Sequence, residues 1–175
     1  DQTLLRRNAP RAEVTGGLMD YRIEILDEET GYDGFFELKR FRLRHSLFAG
    51  GWSGAIERER VERLRAAAVL LYDPARDQVV MIEQFRIGAM ERGRDAWLLE
   101  IVGGLVEPGE DAAAVARRES LEEAGCALLE LVPICDFYVS PGTATERVKL
   151  YCGRVDAGNA GGIFGIEAEG EDIRV

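Results

Sequence analysis

The sequence predicts an α/β domain entered through a small unit of antiparallel strands. Three observations predict it. Residues 111–124 are built from Ala, Leu, Arg and Glu, all strong helix formers. Apolar, strand-like runs lie on both sides of that segment, and the residues before 63 hold short alternating runs separated by Gly-rich turns.

Taken in order, residues 1 to about 17 are polar and carry Pro10, Gly16 and Gly17, which reads as a loose terminus with order starting near Met19. Strands are predicted at 21–26 and 35–44 around the turn-rich 30–34, and a third at 55–63 after the Gly-rich 49–54. Two more, 66–72 and 78–87, are joined by the hairpin-like 73–77, and 97–102 is a short strand leading to the helix. The helix spans 111–124, acidic at its start and with Gly125 just past its end. Strands follow at 129–139 and 147–155, then a long, acidic, Gly-rich loop at 156–172 of the kind that carries function, and 173–175 opens another strand. The expected division is an N-terminal strand segment, 1–62, and a main domain, 63–175.

At 175 residues and 46% hydrophobic, the chain suits one globular domain. Its formal charge of -10, with no run of Lys and Arg, argues against nucleic acid as a partner, so a small anionic substrate must be captured locally. Apolar runs such as 66–71 are too short to span a bilayer and no leader opens the sequence, so a soluble protein is expected. Cys126, Cys135 and Cys152 are odd in number and lack C-x-x-C spacing, which argues against a disulfide framework or zinc site and fits a reducing cytoplasm. The one histidine, His45, sits in an alternating strand-like run. With no second histidine, a general base is expected to be a carboxylate.

The segment from Gly104 to Cys126 reads GLVEPGEDAAAVARRESLEEAGC. On a helix, Glu119, Glu122 and Glu123 stand at i, i+3 and i+4, so their carboxylates share one face. Such crowding is unfavourable without a cation among them, and a hard divalent ion with oxygen ligands satisfies it best. A lone E-x-x-E-E is usually a solvated acidic face, but here it lies inside a longer pattern. Gly104, Glu110, Arg118, Glu119, Glu122, Glu123 and Gly125 have the spacing G-x5-E-x7-R-E-U-x-E-E-x-G-U, and the segment resembles the Nudix box. Ser120 departs from it, standing where the family usually has an aliphatic residue. The resemblance implies a mixed β-sheet sandwich flanked by helices, and hydrolysis of a nucleoside diphosphate linked to another group. It also implies Mg²⁺, with Mn²⁺ able to substitute, held by Glu119, Glu122, Glu123 and the Gly103 carbonyl. Arg118 is expected to turn away and pair with Glu110.

Outside the box, Ser140, Pro141 and Gly142 followed by Glu146 resemble the signature of the ADP-ribose pyrophosphatase branch, as a rigid substrate-side loop. Phe35, Arg58 and Arg86 fall where such enzymes supply an adenine-stacking aromatic and phosphate-binding arginines, roles that suit a flat apolar ring and a planar guanidinium. In the 156–172 loop, Glu169 falls on the position of the proposed general base, and Glu171, two residues on, can reach metal. Glu122 is the alternative base within the box. The N-terminal strands resemble a segment exchanged between subunits, which implies a homodimer with Phe35 and Arg58 serving the partner's site. Enzymes of this type usually continue beyond the point matching Val175 with a strand and a C-terminal helix. The expected reaction is Mg²⁺-dependent cleavage of the pyrophosphate of ADP-ribose, or of a related nucleoside diphosphate sugar, to AMP and ribose 5-phosphate. GDP-mannose is the alternative substrate. A non-catalytic ligand sensor is the alternative of another class, although such modules usually lose box glutamates.

Overall fold

The computed structural model describes residues 21–63 and 65–175, without the side chains of 92–95. The expectations for residues 1–17 and for order beginning near Met19 lie outside this range. By internal contacts the chain divides into one unit of Asp1–Glu29 and Phe41–Arg58 and another of Thr30–Arg40 and Glu59–Val175.

Strands β1 (Ile23–Asp33), β2 (Glu37–His45) and β3 (Ile56–Glu62) form a three-stranded sheet in that order. The turn expected at 30–34 falls later, because β1 runs on to Asp33. At Gly34 the Tyr32 ring lies where a Cβ would stand. In the first unit, Arg22 and Arg44 lie 5.2 and 4.9 Å over the Trp52 ring, and Arg44 pairs with Glu24 at 2.6 Å. His45 is exposed, its Nδ1 2.9 Å from the Ser46 carbonyl.

The second unit is built on β4 (Arg65–Asp73), whose burial alternates along its length and whose inner residues Ala67, Val69 and Leu71 are all fully buried. Parallel pairing with β10 (Arg147–Arg154) makes the sheet mixed. Strands β5 (Gln78–Val80) and β8 (Val102–Val106) pair antiparallel with β4, and β9 (Glu130–Tyr138) pairs antiparallel with β10. Helix α1 (Ala112–Ala124) packs Val115, Ala116, Ser120 and Ala124 into the same core as Ile82, Val102 and Ile173. Removing a side chain such as Leu71 here would cost about 2–5 kcal/mol. A second sheet has the order β11 (Ile163–Phe164), β12 (Ile173–Arg174), β6 (Ile82–Phe85), β7 (Trp97–Glu100). Among the described residues α1 is the one α-helix, and none is long and apolar enough to cross a membrane.

Two expected strands are each divided. The run 78–87 becomes β5 in one sheet and β6 in the other, and the run from 97 becomes β7 in one sheet and β8 in the other. A continuous apolar run has the same periodicity on either side of such a switch, so only tertiary packing reveals it. Between β6 and β7 lies a 3₁₀-helix, Ile87–Ala96.

Candidate active site

The helix that carries the glutamates is stopped by geometry that the sequence announces. Gly125 is left-handed at φ 63°, its N–H bonds the Leu121 carbonyl at 3.1 Å, and the Cys126 N–H bonds that of Ser120 at 2.9 Å. Ser120, the departure from the box, is fully buried, and its hydroxyl donates to the Ala116 carbonyl at 2.7 Å. A small residue with an internal partner therefore fits the core where an aliphatic one was expected.

Glu119 and Glu123 point inward, 9% and 3% exposed. Strand β8 receives them. A Cβ on Gly104 would overlap the Glu119 carboxylate, so a glycine is required for this approach, and Glu123 Oε2 accepts the Gly103 N–H at 2.9 Å. Gly103 is itself pressed on β4, where a Cβ would sit 3.0 Å from the Ala67 carbonyl oxygen. Glu122, at the edge of this face, is more open. Arg118 corrects the expectation. Rather than turning away, its Nη1 lies 3.0 Å from both Glu119 and Glu122, with Glu110 only at 3.9 Å. Crowded carboxylates draw in the nearest guanidinium. Glu110 braces the preceding loop instead, its Oε2 accepting the Glu107 N–H at 3.1 Å.

Burial, above all, raises the Glu119 carboxyl, with Arg118 opposing and Glu122, Glu171 and Glu169 adding to the rise. Burial pushes the Glu123 carboxyl up to about 7, opposed by the Gly103 N–H and Arg86 and reinforced by Glu119 and Glu171. Both are buried acids, and Arg118 only partly offsets the burial of Glu119.

The 156–172 loop is more structured than expected. It contains β11, the 3₁₀ turn Glu167–Glu169 and the approach to β12. Strands of two residues leave no periodicity in a sequence, which is why the segment reads as a loop. Its fastening to α1 is local: the Gly165 N–H bonds the Glu122 carbonyl at 3.2 Å, and Phe164 occupies the space beside Gly125 that a Cβ would fill. Gly165, at φ 101°, lets the chain turn against Glu171, whose Oε2 accepts the Ile166 N–H at 3.0 Å. Glu169 is exposed and Glu171 half-buried. Both act electrostatically on Glu119.

Arg86 also belongs to this neighbourhood, because its charge is felt by Glu123. It is tied to Glu100 by Nε at 3.0 Å and Nη2 at 2.8 Å, a partner that sequence reading missed and that only the β6–β7 pairing discloses. Ser140, Pro141 and Gly142 form an exposed turn closed by Ser140 and Thr143 hydroxyls 2.9 Å apart. Glu146 pairs with Arg63 at 3.5 Å, and Arg63 lies 4.6 Å over the Phe36 ring. Among the described residues, no hydrogen bond or ion pair joins this group to the glutamate face. Phe35 is 84% exposed and meets Phe36 edge to face at 4.6 Å, so it is no core residue. Arg58, in the other unit, is exposed and donates to the Glu57 carbonyl at 2.7 Å. A cavity of about 240 Å³, lined by Arg65, Glu110, Asp111, Arg147 and Lys149 among others, lies at the start of α1 and does not include Glu119, Glu122 or Glu123.

Among the described residues, no three His, Cys, Asp or Glu side chains are already gathered as an ion would gather them. The donor set nonetheless suits a hard divalent cation. Glu119 and Glu123 are buried oxygen donors whose partners leave them under-satisfied, and Glu122 and Glu171 are at hand.

The model of the NUDIX domain matches residues 62–171. The ADP-ribose pyrophosphatase of Escherichia coli (strain K12) is 48% identical over 162 residues, 93% of this chain and 77% of that protein. The ADP-ribose pyrophosphatase of Haemophilus influenzae is 49% identical over 156 residues, 87% and 72% of the two chains. The GDP-mannose pyrophosphatase of Enterobacter sp. (strain 638) is 34% identical over 161 residues, 89% and 81%. A solved ADP compounds hydrolase, 20% identical, shares the fold with a TM-score of 0.58 over 76% of this chain and 67% of its own. With a buried glutamate face on α1, a glycine strand shaped to receive it and a matching domain model over most of its length, the chain belongs to the Nudix hydrolase family.

Proposed function

We propose that this chain hydrolyses the pyrophosphate of ADP-ribose to AMP and ribose 5-phosphate, in the cytoplasm, as a Mg²⁺-dependent homodimer. The observation that carries the reading is the glutamate face of α1, with Glu119 and Glu123 buried in it and the 156–172 loop fastened to the helix at Glu122. Such a site suits a charged diphosphate and an attacking water. The choice of ADP-ribose over GDP-mannose is supported by identities of 48–49% against 34% to the relatives bearing those names.

Glu119, Glu123, Glu122, Glu171 and the Gly103 carbonyl would hold the metal, and Mn²⁺ would substitute. When bound, the ion neutralises diphosphate charge and lowers the pKa of a water. The chain's own residues do the rest. Arg86 holds the diphosphate with its planar fork after leaving Glu100. Phe35 stacks adenine and Arg58 reaches a phosphate, both from the N-terminal segment 1–62, which a partner subunit would exchange. Ser140, Pro141, Gly142 and Glu146 border the substrate. Glu169 takes a proton from the water as its oxygen bonds to one phosphorus in line, and the bond from that phosphorus to the bridging oxygen breaks. Glu171 and Glu122 are the alternative bases.

The experiment is to incubate the protein with Mg²⁺ and ADP-ribose, GDP-mannose or other nucleotide sugars. AMP and ribose 5-phosphate, formed with the highest kcat/KM of the panel, are expected. A preference of about tenfold or more for GDP-mannose would replace the substrate, and no turnover of any member would overturn the reading.

A further inference from the structure

Gln84 is 7% exposed, and its Nε2 is buried with no hydrogen-bond partner. Buried donors are ordinarily matched, so an unmatched one asks for a reason. Strand alternation puts Gln84 on the inner face of β6 with Ile82, and the chain continues to Arg86 in the same phase, while Glu83 and Phe85 face the other way. The β6–β7 register sets Ile82 opposite Glu100 and Gln84 opposite Leu98, and the Arg86 N–H bonds the Ala96 carbonyl at 2.8 Å. The Arg86–Glu100 ion pair, at 2.8 Å, therefore runs diagonally across the Gln84–Leu98 pair. On this face Arg86 is half-exposed and Gln84 buried. Alternate residues of a strand stand roughly 7 Å apart, a span that two linked phosphates bridge.

We propose that Gln84 is a substrate-binding residue, its amide donating to a diphosphate oxygen once Arg86 turns from Glu100 to the same diphosphate. This rests on the reading of the chain as a nucleoside diphosphate sugar hydrolase. A neutral donor beside a charged one adds direction where the guanidinium adds charge, and its partner arrives only with substrate. The amide then costs stability in the substrate-free protein and returns it as affinity.

That opposition gives the test. Gln84→Leu, of similar volume, removes an amide that has no protein partner, and Gln84→Met repeats the change with a straight chain. Melting temperature and affinity for a non-hydrolysable methylene analogue of ADP-ribose, measured by calorimetry, are compared with wild type. Both variants should melt no lower than wild type yet bind the analogue about tenfold more weakly or worse, with KM rising more than kcat falls. Affinity within about twofold of wild type would overturn the proposal. So would failure to fold, or a fall in melting temperature beyond about 5 °C in both variants, since the amide would then have a structural partner. A wrong substrate shows in the wild type itself, which would bind the methylene analogue of another nucleotide sugar better. That analogue then replaces the first, and the comparison of variant with wild type still decides the role of Gln84. A wild type that binds no such analogue overturns both readings.

Discussion

Asp73 and Glu123 are both side chains that solvent barely touches, 1% and 3% exposed, yet the carboxyl of Asp73 is held down at about 2 and that of Glu123 is pushed up to about 7. The difference lies in their donors. Asp73 accepts the Ala157 N–H at 2.9 Å, the Arg76 guanidinium at 2.7 Å and the Ala75 and Arg76 N–H groups at 2.8 and 3.3 Å. Among the described residues Glu123 accepts the Gly103 N–H alone, and the charges of Glu119 and Glu171 add to the rise. Burial raises both groups, and hydrogen bonds to the charged form outweigh it only at Asp73. Asp73 is a finished structural joint, tying the β4–β5 turn to the segment after β10. Glu123 is an unfinished one, and an unfinished buried carboxylate marks a candidate functional site.

Substitution is the strongest way to break this contrast. Glu123→Gln or Glu119→Gln should lower kcat by about a hundred- to a thousandfold, and metal-free Glu123→Gln should melt no lower than wild type, because it removes an under-satisfied buried charge. Steady-state kinetics and thermal melts check both halves. Wild-type turnover in either variant would end the assignment of α1 as the catalytic helix. Glu122→Gln should have a smaller effect, since that side chain lies at the more open edge of the face.

The loop carboxylates come next. Glu169→Gln should reduce single-turnover rates by about a hundredfold with substrate and Mg²⁺ affinity nearly unchanged. Glu171→Gln should disturb Mg²⁺ affinity as well, because Glu171 raises both Glu119 and Glu123 and closes the turn on Ile166. The reverse pattern would make Glu171 the base.

A smaller effect is expected at the diphosphate. Arg86→Ala should raise KM about tenfold with a lesser change in kcat, and Phe35→Ala should relax the preference among bases. Kinetics on ADP-ribose and its guanine counterpart separate the two, and an unchanged KM in both variants would remove them from the site.

The smallest effect sits at the finished joint. The folded pKa of Asp73 lies below its ordinary value of 3.8, so its ionised form stabilises the fold above about pH 4, and that contribution is lost as pH falls from 3.8 through about 2. Asp73→Asn should lower the melting temperature by several degrees at neutral pH and flatten the loss of stability over that acid window, with specific activity kept. An unaltered acid limb in the variant would show that Asp73 does not carry it.

How much of this was legible depended on whether one segment held the information. Helix α1 was, because Ala, Arg and Glu propensity, the i, i+3, i+4 glutamates and Gly125 all lie within it. The observed helix differs from the predicted one only in that Asp111 is its N-cap. The need for glycine at Gly104 follows from its place in the box, but its cause, the Glu119 carboxylate lying against it, is a tertiary fact. The sheet switches at β5–β6 and β7–β8, the clasp of Arg86 on Glu100 and the inward turn of Arg118 were not legible, since each is decided by what packs alongside. Gln84 left one faint signal, a polar residue in phase with Ile82 on a core-facing strand.

The central claim is that the α1 face is completed by a divalent cation, whereas the Asp73 joint is complete without one. The most direct measurement is a Mg²⁺ titration of thermal stability, slightly above neutral pH, for wild type, Glu123→Gln and Asp73→Asn. The melting temperature of wild type and of Asp73→Asn should rise by the same amount as Mg²⁺ passes its dissociation constant, while Glu123→Gln stays flat. An equal rise in Glu123→Gln, or none in wild type, would contradict the account.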